Sequence, residues 1–248
     1  MPVAAIYDIH ANLPALEAVL GEIRQAGVDQ IVVGGDVVPG PMPQETIACL
    51  LDLDIPAQFI QGTGDREVVA FRRAEESGSV PEKFRDVMRW VAQQLNPEYE
   101  ELLANWPKSL CVPVEGLGEV LFCHATPRND TEIFTRLTPE DRFLPVFAGV
   151  NAVVVVCGHT HMQFDRTIRD TRVVNAGSVG MPFGEPGAYW LLLGPDVQLR
   201  RTPYDLANAA GRIRETAYPQ AEDFAARNVL EPPSEAETLE AFLRAELR

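Results

Sequence analysis

The amino-acid sequence predicts a mixed α/β (α+β) fold, and two observations carry that prediction. Between residues 3 and 61, apolar runs alternate with segments of helical spacing in the order β-α-β-α-β, which implies a parallel sheet with right-handed crossovers. After residue 161 the pattern changes to short strands, and a helical tail rich in Ala, Glu and Arg begins at Pro203. We therefore expect a domain over residues 1–202 and a helical extension over residues 203–248.

Local signals place the first five elements. Pro14 lies in the first turn of the first helix, where proline is tolerated, and Gly27 ends that helix. The predicted strands are Val3–Tyr7, Gln30–Val33 and Ala57–Gln61, and the predicted helices are Leu13–Ala26 and Pro43–Asp52.

The remaining elements follow the same periodicities. A helical middle is predicted over Glu67–Asn105, and a helix over Thr138–Ala148 with Thr138 as its N-cap. The predicted strands are Leu110–Val114, Glu119–Cys123, Ala152–Val156, Gln163–Ile168, Val173–Asn175, Ala188–Leu193 and Gln198–Arg201. The tail is divided into helices over Pro203–Ala217, Gln220–Asn228 and Ser234–Leu247. The apolar stripe of the last helix is expected to pack on the domain or on a second subunit, which leaves a homo-oligomer open.

The composition excludes several classes of partner. With 21 Lys and Arg against 36 Asp and Glu, the formal charge of −15 argues against general nucleic-acid binding and against docking on anionic membranes. The four cysteines form no C-x-x-C pair, so we expect reduced, buried thiols in a cytoplasmic protein. No apolar run approaches membrane-spanning length, and the N-terminus shows no signal-peptide pattern.

Carboxylates follow the first three predicted strands. Asp8, Asp36 and Asp65 each come after an apolar run, although any single one is as well explained as a helix cap. Three at successive strand ends indicate one shared edge of the sheet, where open α/β sheets usually build their sites. Asp8 and His10 are two residues apart in an extended segment, so both side chains point to the same side and can chelate one ion.

The four histidines of the chain also follow strand-like runs. They are His10, His124 and the pair His159 and His161, which follows the valine-rich run at Ala152–Val156. The alternative for such a pair is two surface or hydrogen-bonded histidines. Imidazole combined with carboxylate suits Mn, Fe, Co, Ni or Zn, whereas Mg prefers oxygen ligands.

Six short motifs together resemble the calcineurin-like metallophosphoesterase superfamily, and most closely its small bacterial and archaeal phosphodiesterase branch. They are Asp8-Ile9-His10-Ala11-Asn12, Gly35-Asp36, Gly62-Thr63-Gly64-Asp65, His124, Gly158-His159-Thr160-His161 and the turn from Asn175 to Gly180. The resemblance covers Val3 to about Leu193. It implies a two-layer β-sandwich flanked by helices and a site for two divalent transition metal ions.

The resemblance also implies a role for individual residues. One metal would be held by Asp8, His10, Asp36 and His161, and the other by Asp36, His124 and His159, with Asp36 bridging. Thr63 stands where the family usually has an Asn ligand, so it would be a weaker ligand of the second metal. Gly64 stands where many members have a His that protonates the leaving group.

Three further residues are candidates for substrate contact or proton transfer. Asp65 is a candidate acid in place of the missing His. Asn12 and Arg66 are candidates for holding phosphate oxygens, although Arg66 is equally well placed to pair with Glu67.

The hypothesis that follows is a cytosolic, dinuclear metallophosphoesterase that hydrolyses a small phosphodiester or phosphomonoester. Two metals about 3.5–4 Å apart would hold a bridging hydroxide and stabilise in-line attack on phosphorus. The alternative is a binding scaffold that keeps the fold without turnover, a path that a retromer subunit of this superfamily has taken. Thr63 and Gly64 favour the scaffold, and the six intact ligands favour the enzyme.

Overall fold

The computed structural model describes residues 1–75 and 80–246. It contains two five-stranded sheets, whose strands are β1 (Val3–Ile6), β2 (Gln30–Val33), β3 (Ala57–Phe59), β4 (Ser109–Val114), β5 (Gly118–Cys123), β6 (Val154–Cys157), β7 (Phe164–Ile168), β8 (Thr171–Asn175), β9 (Ala188–Leu193) and β10 (Val197–Thr202). The helices are α1 (Leu13–Ala26), α2 (Pro43–Leu51), α3 (Thr63–Arg73), α4 (Glu82–Gln94), α5 (Pro97–Asn105), α6 (Glu140–Phe147), α7 (Leu206–Arg214), α8 (Ala221–Phe224) with a π-helical continuation at Ala225–Leu230, and α9 (Glu235–Glu246).

Each sheet contains three neighbouring parallel strands. The first sheet has the order β10-β9-β1-β2-β3, in which β1, β2 and β3 are parallel and β9 and β10 are antiparallel. The second has the order β4-β5-β6-β8-β7, in which β5, β6 and β8 are parallel and the outer strands are antiparallel. The predicted β-α-β-α-β start is therefore the parallel half of the first sheet.

Side-chain alternation along β1 divides the interior. Ala4 and Ile6 pack toward the helices, whereas Val3, Ala5 and the following Tyr7 pack toward the second sheet. A third apolar cluster covers the outer face of the second sheet with α6 and with Phe134. The order of layers is helices, sheet, sheet and helix, which confirms the two-layer sandwich flanked by helices.

Some predicted boundaries differ from the structure. The helix predicted from Thr138 begins at Glu140, because Pro139 is extended at φ −57° and ψ 138° and the Thr138 hydroxyl accepts a hydrogen bond from the Thr135 N–H at 3.1 Å instead of capping the helix. The helical middle is three helices, α3 to α5, and its residues 76–79 lie outside the described residues, as do the last two residues of the chain.

Two of the four cysteines depart from the expected burial. Cys123 and Cys157 are buried, whereas Cys49 is half-buried and Cys111 is exposed on the outer strand β4. All four are free thiols.

The C-terminal extension packs on the first sheet's helical layer. Ile213, Phe224 and Val229 belong to the same apolar core as Leu16 of α1 and Trp190 of β9. Within the described ranges, no helix is long and apolar enough to cross a membrane.

Candidate metal centre

The candidate ligands lie on loops at one shared edge of the two sheets. In the first sheet Asp8 and His10 follow β1 and Asp36 follows β2, and in the second sheet His124 follows β5 and His159 and His161 follow β6. These six side chains form two groups that could each hold a metal ion, one of Asp8, His10 and His161 and the other of Asp36, His124 and His159. Within each group the potential ligand atoms lie within 4.8 Å of one another.

The backbone is strained at five of these six residues. Positive φ values between 49° and 66° occur at Asp8, His10, Asp36, His159 and His161. A non-glycine residue in this region costs about 1–3 kcal/mol and persists only where the surrounding structure holds it. Backbone hydrogen bonds between neighbouring loops do so, since the His10 N–H donates to the Asp36 carbonyl at 2.9 Å and the Asp8 N–H to the Gly35 carbonyl at 3.1 Å. Such concentrated strain is typical of a functional site.

The first group presents nitrogen lone pairs to one point. His10 Nδ1 donates to the Pro39 carbonyl at 3.1 Å and His161 Nδ1 to the Met181 carbonyl at 2.8 Å, so each Nε2 carries no hydrogen in the neutral ring. The two Nε2 atoms are 3.1 Å apart, and Asp8 Oδ1 is 3.3 Å from His161 Nε2. Two lone pairs and a carboxylate this close repel one another unless a cation lies between them.

The second group shares Asp36 with the first. Asp36 Oδ1 is 3.5 Å from His124 Nε2, while Oδ2 is 3.9 Å from His10 Nε2 in the other group. His124 Nδ1 donates to the Gly34 carbonyl at 2.9 Å, which again leaves Nε2 free as an acceptor. One carboxylate thus faces both groups, which is the arrangement that a bridging ligand needs.

Unpaired atoms support the fit to cations. Asp8 Oδ1 and His124 Nε2 are buried and make no hydrogen bond in the described part of the chain. A buried polar atom without a partner costs about 1–3 kcal/mol. Metal coordination would satisfy both atoms.

The direction of the pKa shift divides the four histidines of the site into two pairs. Burial, followed by the charge of a neighbouring histidine, lowers the pKa of His10 and of His159 to about 4. Burial also acts to lower the pKa of His124 and His161, but the neighbouring carboxylates outweigh it, so both pKa values are raised. The pKa of Asp8 is lowered, because the adjacent histidines outweigh the effect of burial.

Thr63 and Gly64 begin helix α3. The Thr63 hydroxyl donates to the Asp130 carbonyl, and a ligand role for Thr63 stays a prediction. The Gly64 N–H donates to Asp36 Oδ1 at 2.7 Å. A Cβ atom at position 64 would collide with the Pro39 ring and lie 3.2 Å from Asp36 Oδ1. Glycine therefore lets the start of α3 approach Asp36, and any side chain here would require Pro39 to move.

Asp65 lies in the first turn of α3 and faces the loop of Asp36. Its side chain is fully buried, and Oδ1 accepts hydrogen bonds from the N–H groups of Val37 at 2.8 Å and Val38 at 3.1 Å. Oδ2 accepts from the Gly62 N–H at 3.1 Å. Burial, with the charge of Asp36, raises the pKa of Asp65 to about 7. These hydrogen bonds tie α3 to the loop of Asp36, and the role of Asp65 as an acid stays a prediction.

The two residues predicted to hold phosphate oxygens have structural partners. Asn12 is fully buried, where it caps α1 through Oδ1 and donates to the Gly180 carbonyl at 2.9 Å. Arg66 pairs with Asp130 at 2.8 Å and with Glu67 at 2.7 Å. These are the partners of both side chains within the chain, and a role for Asn12 or Arg66 in holding phosphate oxygens stays a prediction.

The turn after β8 contributes residues whose role the sequence did not reveal. The Ser178 hydroxyl donates to the Asp8 carbonyl at 2.7 Å, and the Asn175 amide donates to the Gly158 carbonyl at 2.6 Å. Phe183 stacks on the His161 ring at 5.5 Å between centroids. The glycine-rich pattern signals a turn but not which loops it holds.

Comparison with known proteins places the chain among phosphoesterases. The profile of the calcineurin-like phosphoesterase superfamily domain matches residues 1–194. The uncharacterized protein MJ0912 of Methanocaldococcus jannaschii is 27% identical over 239 residues, which cover 88% of this chain and 94% of that protein.

Two solved structures have a similar fold. The hypothetical protein PH1004 from Pyrococcus horikoshii OT3 has a TM-score of 0.80 at 21% identity, over 94% of this chain and 99% of that chain. A metallophosphoesterase from Sphaerobacter thermophilus has a TM-score of 0.72 at 26% identity, over 92% of this chain and 99% of that chain. At this coverage the shared fold includes part of the helical extension.

Proposed function

The chain belongs to the calcineurin-like phosphoesterase superfamily, and from that premise we propose that it is a phosphoesterase that depends on two divalent transition metal ions. One observation carries the proposal: the two ligand groups converge with their lone pairs facing one another, and Asp36 faces both. The unpaired Asp8 Oδ1 and His124 Nε2 support the same conclusion.

We assign the first ion to Asp8, His10 and His161, the second to His124 and His159, and Asp36 to both. When bound, the two ions would supply Lewis-acid polarisation of the phosphate and activation of water. The donor set of imidazole and carboxylate favours Mn, Fe, Co, Ni or Zn.

Residues outside the ligand set keep this arrangement in place. The carbonyls of Pro39, Met181 and Gly34 fix the tautomers of three histidines, and such partners typically change metal affinity by about 10–100-fold. The Gly64 N–H and the Asp65 carboxylate fix Asp36 and its loop.

The substrate that we propose is a small phosphodiester or phosphomonoester in the cytoplasm. The four free thiols are typical of a reducing compartment. A homo-oligomer stays a prediction.

Metal content and turnover together test this function. The protein is loaded with Mn, its bound metal is measured, and the hydrolysis of bis-p-nitrophenyl phosphate is followed. Asp36→Asn should lose metal and lower the rate by orders of magnitude, because each carboxylate oxygen faces one of the two groups and one of these oxygens becomes an amide nitrogen. Asp29→Asn makes the same change at an exposed position and should alter neither value. A wild type that binds no metal and hydrolyses neither diester nor monoester would overturn the proposal in favour of the non-catalytic scaffold.

A further inference from the structure

We propose that an apolar cavity beside the first ligand group binds a planar aromatic group of the substrate, so that the preferred phosphoester carries an aryl or nucleobase-sized ring. This inference rests on the proposed function, because the cavity is assigned to the organic arm of a phosphoester.

The cavity opens directly onto the candidate metal centre. It has a volume of about 290 Å³, and His10 and Pro39 are among its lining residues. His10 belongs to the first ligand group, and Pro39 is the residue whose carbonyl fixes the His10 tautomer. A phosphate held by the ligand groups would therefore have its organic arm beside this cavity.

Two distant parts of the chain form the walls. Helix α4 supplies Phe84 and Met88, and the C-terminal extension supplies Tyr218 and Phe224. Met181, whose carbonyl fixes the His161 tautomer, also lines the cavity. The extension thus completes a pocket at the site as well as packing on the domain.

The size and the lining both favour an aromatic ring. An apolar cavity of about 150 Å³ is enough to bind benzene, so about 290 Å³ has room for a larger ring system. Aromatic rings pack well against Tyr218 and Phe224, and methionine sulfur makes favourable contacts with ring edges. Besides His10, the polar groups of the lining are Gln220, Asp223, Arg227 and Asn228, and such groups orient a ligand in a mostly apolar pocket.

The rim of the cavity shows an exposed aromatic side chain. Phe84 is 42% exposed, and it is one of few large hydrophobic residues in the described ranges with that much exposure. A ring bound in the cavity would cover it, and exposed apolar surface beside a pocket is typical of a binding site.

A second cavity, beside the other ligand group, indicates which way the substrate would lie across the site. It has a volume of about 180 Å³ and borders His124 of the other ligand group. Its lining is polar and charged, with Lys108, Arg128 and Asp130 among its residues. An apolar ring placed there would remove these groups from water without replacing their hydrogen bonds. The aromatic arm therefore goes to the His10 side, and the solvated part of the substrate to the His124 side.

Binding of two phosphonates to the Mn-loaded protein tests the proposal. Phenylphosphonate and methylphosphonate have the same phosphorus group and no leaving group, so leaving-group chemistry does not enter the comparison. By isothermal titration calorimetry, phenylphosphonate should bind about tenfold more tightly or better, because its ring is buried. Phe84→Ala and Met88→Gln should reduce that preference by roughly threefold or more, and the affinity for methylphosphonate should stay unchanged.

Leu199→Ala is the matched control, since Leu199 is also 42% exposed but lies on β10 away from the cavity. It should leave the preference unchanged. Equal affinity for the two phosphonates in a protein that hydrolyses bis-p-nitrophenyl phosphate would overturn the cavity proposal alone. Binding of neither phosphonate, together with no turnover, would overturn the proposed function as well.

Discussion

The substitution Asp65→Asn distinguishes two roles for Asp65, that of a positioning residue and that of a catalytic acid. The substitution keeps the size and shape of the side chain and replaces one acceptor oxygen by an NH₂ donor. In the variant, the remaining oxygen can still accept from the N–H groups of Val37 and Val38. The new NH₂ group then faces the Gly62 N–H, which in the wild type donates to Asp65 Oδ2 at 3.1 Å. One buried N–H then has no acceptor, and the other two lose their charge-assisted acceptor.

The magnitude follows from these contacts. An unsatisfied buried N–H costs about 1–3 kcal/mol, and weakening two charge-assisted bonds adds about 1 kcal/mol. The free energy of unfolding should therefore fall by about 2–4 kcal/mol, which in a chain of this size corresponds to roughly 4–16 °C in Tm. Because Asp65 ties α3 to the loop of Asp36, metal affinity should fall with it.

The assay combines thermal unfolding, metal titration and hydrolysis of aryl and alkyl phosphodiesters at saturating metal. We expect a lower Tm, weaker metal binding and the same ratio of aryl to alkyl rates as in the wild type. Asp205→Asn is the control, because Asp205 also accepts a backbone N–H, at 2.9 Å, but at the exposed start of α7. The reasoning is refuted if Tm and metal affinity are unchanged while alkyl esters alone slow by about 10²–10⁴-fold, which is the contribution of a general acid.

Three further predictions concern the same site. Metal binding near pH 6.5 should release protons, because the pKa values of His124 and His161 are raised and both side chains must lose a proton to coordinate. Metal affinity should therefore fall as the pH drops through the raised pKa values of these two histidines. Calorimetry in two buffers of different ionisation enthalpy measures the proton release. Thr63→Asn should tighten the second metal site by offering an amide oxygen, and two equally tight sites in the wild type would contradict this. Gly64 supplies no proton, so rates should depend steeply on leaving-group pKa across a series of aryl diesters, and a flat dependence would indicate another acid.

The convergence of the six candidate ligands could be predicted from sequence because it depends on strand ends. A run such as Val154–Cys157 is recognisable from its composition, and the polar residue that follows it must lie at the edge of the sheet. The resemblance to a family added the pairing of the two sheets, which no local pattern contains. His10 and His161 are 151 positions apart, yet both follow parallel strands whose carboxyl ends meet.

The hydrogen-bond partners of Asp65 and Asn12 could not be predicted in the same way. A carboxylate or amide after a strand can face the site or turn inward to backbone N–H groups, and local spacing is the same in both cases. The partners that decide the outcome for Asp65 are 27 and 28 residues away, and for Asn12 the Gly180 carbonyl is 168 residues away. The apolar cavity could not be predicted from the sequence either, because its walls come from α4 and the C-terminal extension. Each of these segments shows only ordinary helical spacing.

Backbone hydrogen bonds of the fold hold the strained loops that carry the candidate ligands. The positive φ at His10 and Asp8 coexists with backbone hydrogen bonds to the Asp36 carbonyl and from the Gly180 N–H, at 2.9 and 3.0 Å. Asp65 adds three more hydrogen bonds around the same loops. The remaining unfavourable interactions, between the facing nitrogen lone pairs and at the unpaired Asp8 Oδ1, lie at the centre of the site, where a bound cation would relieve them. The two sheets therefore preorganise the candidate ligands, so metal binding would remove repulsion without having to order the loops.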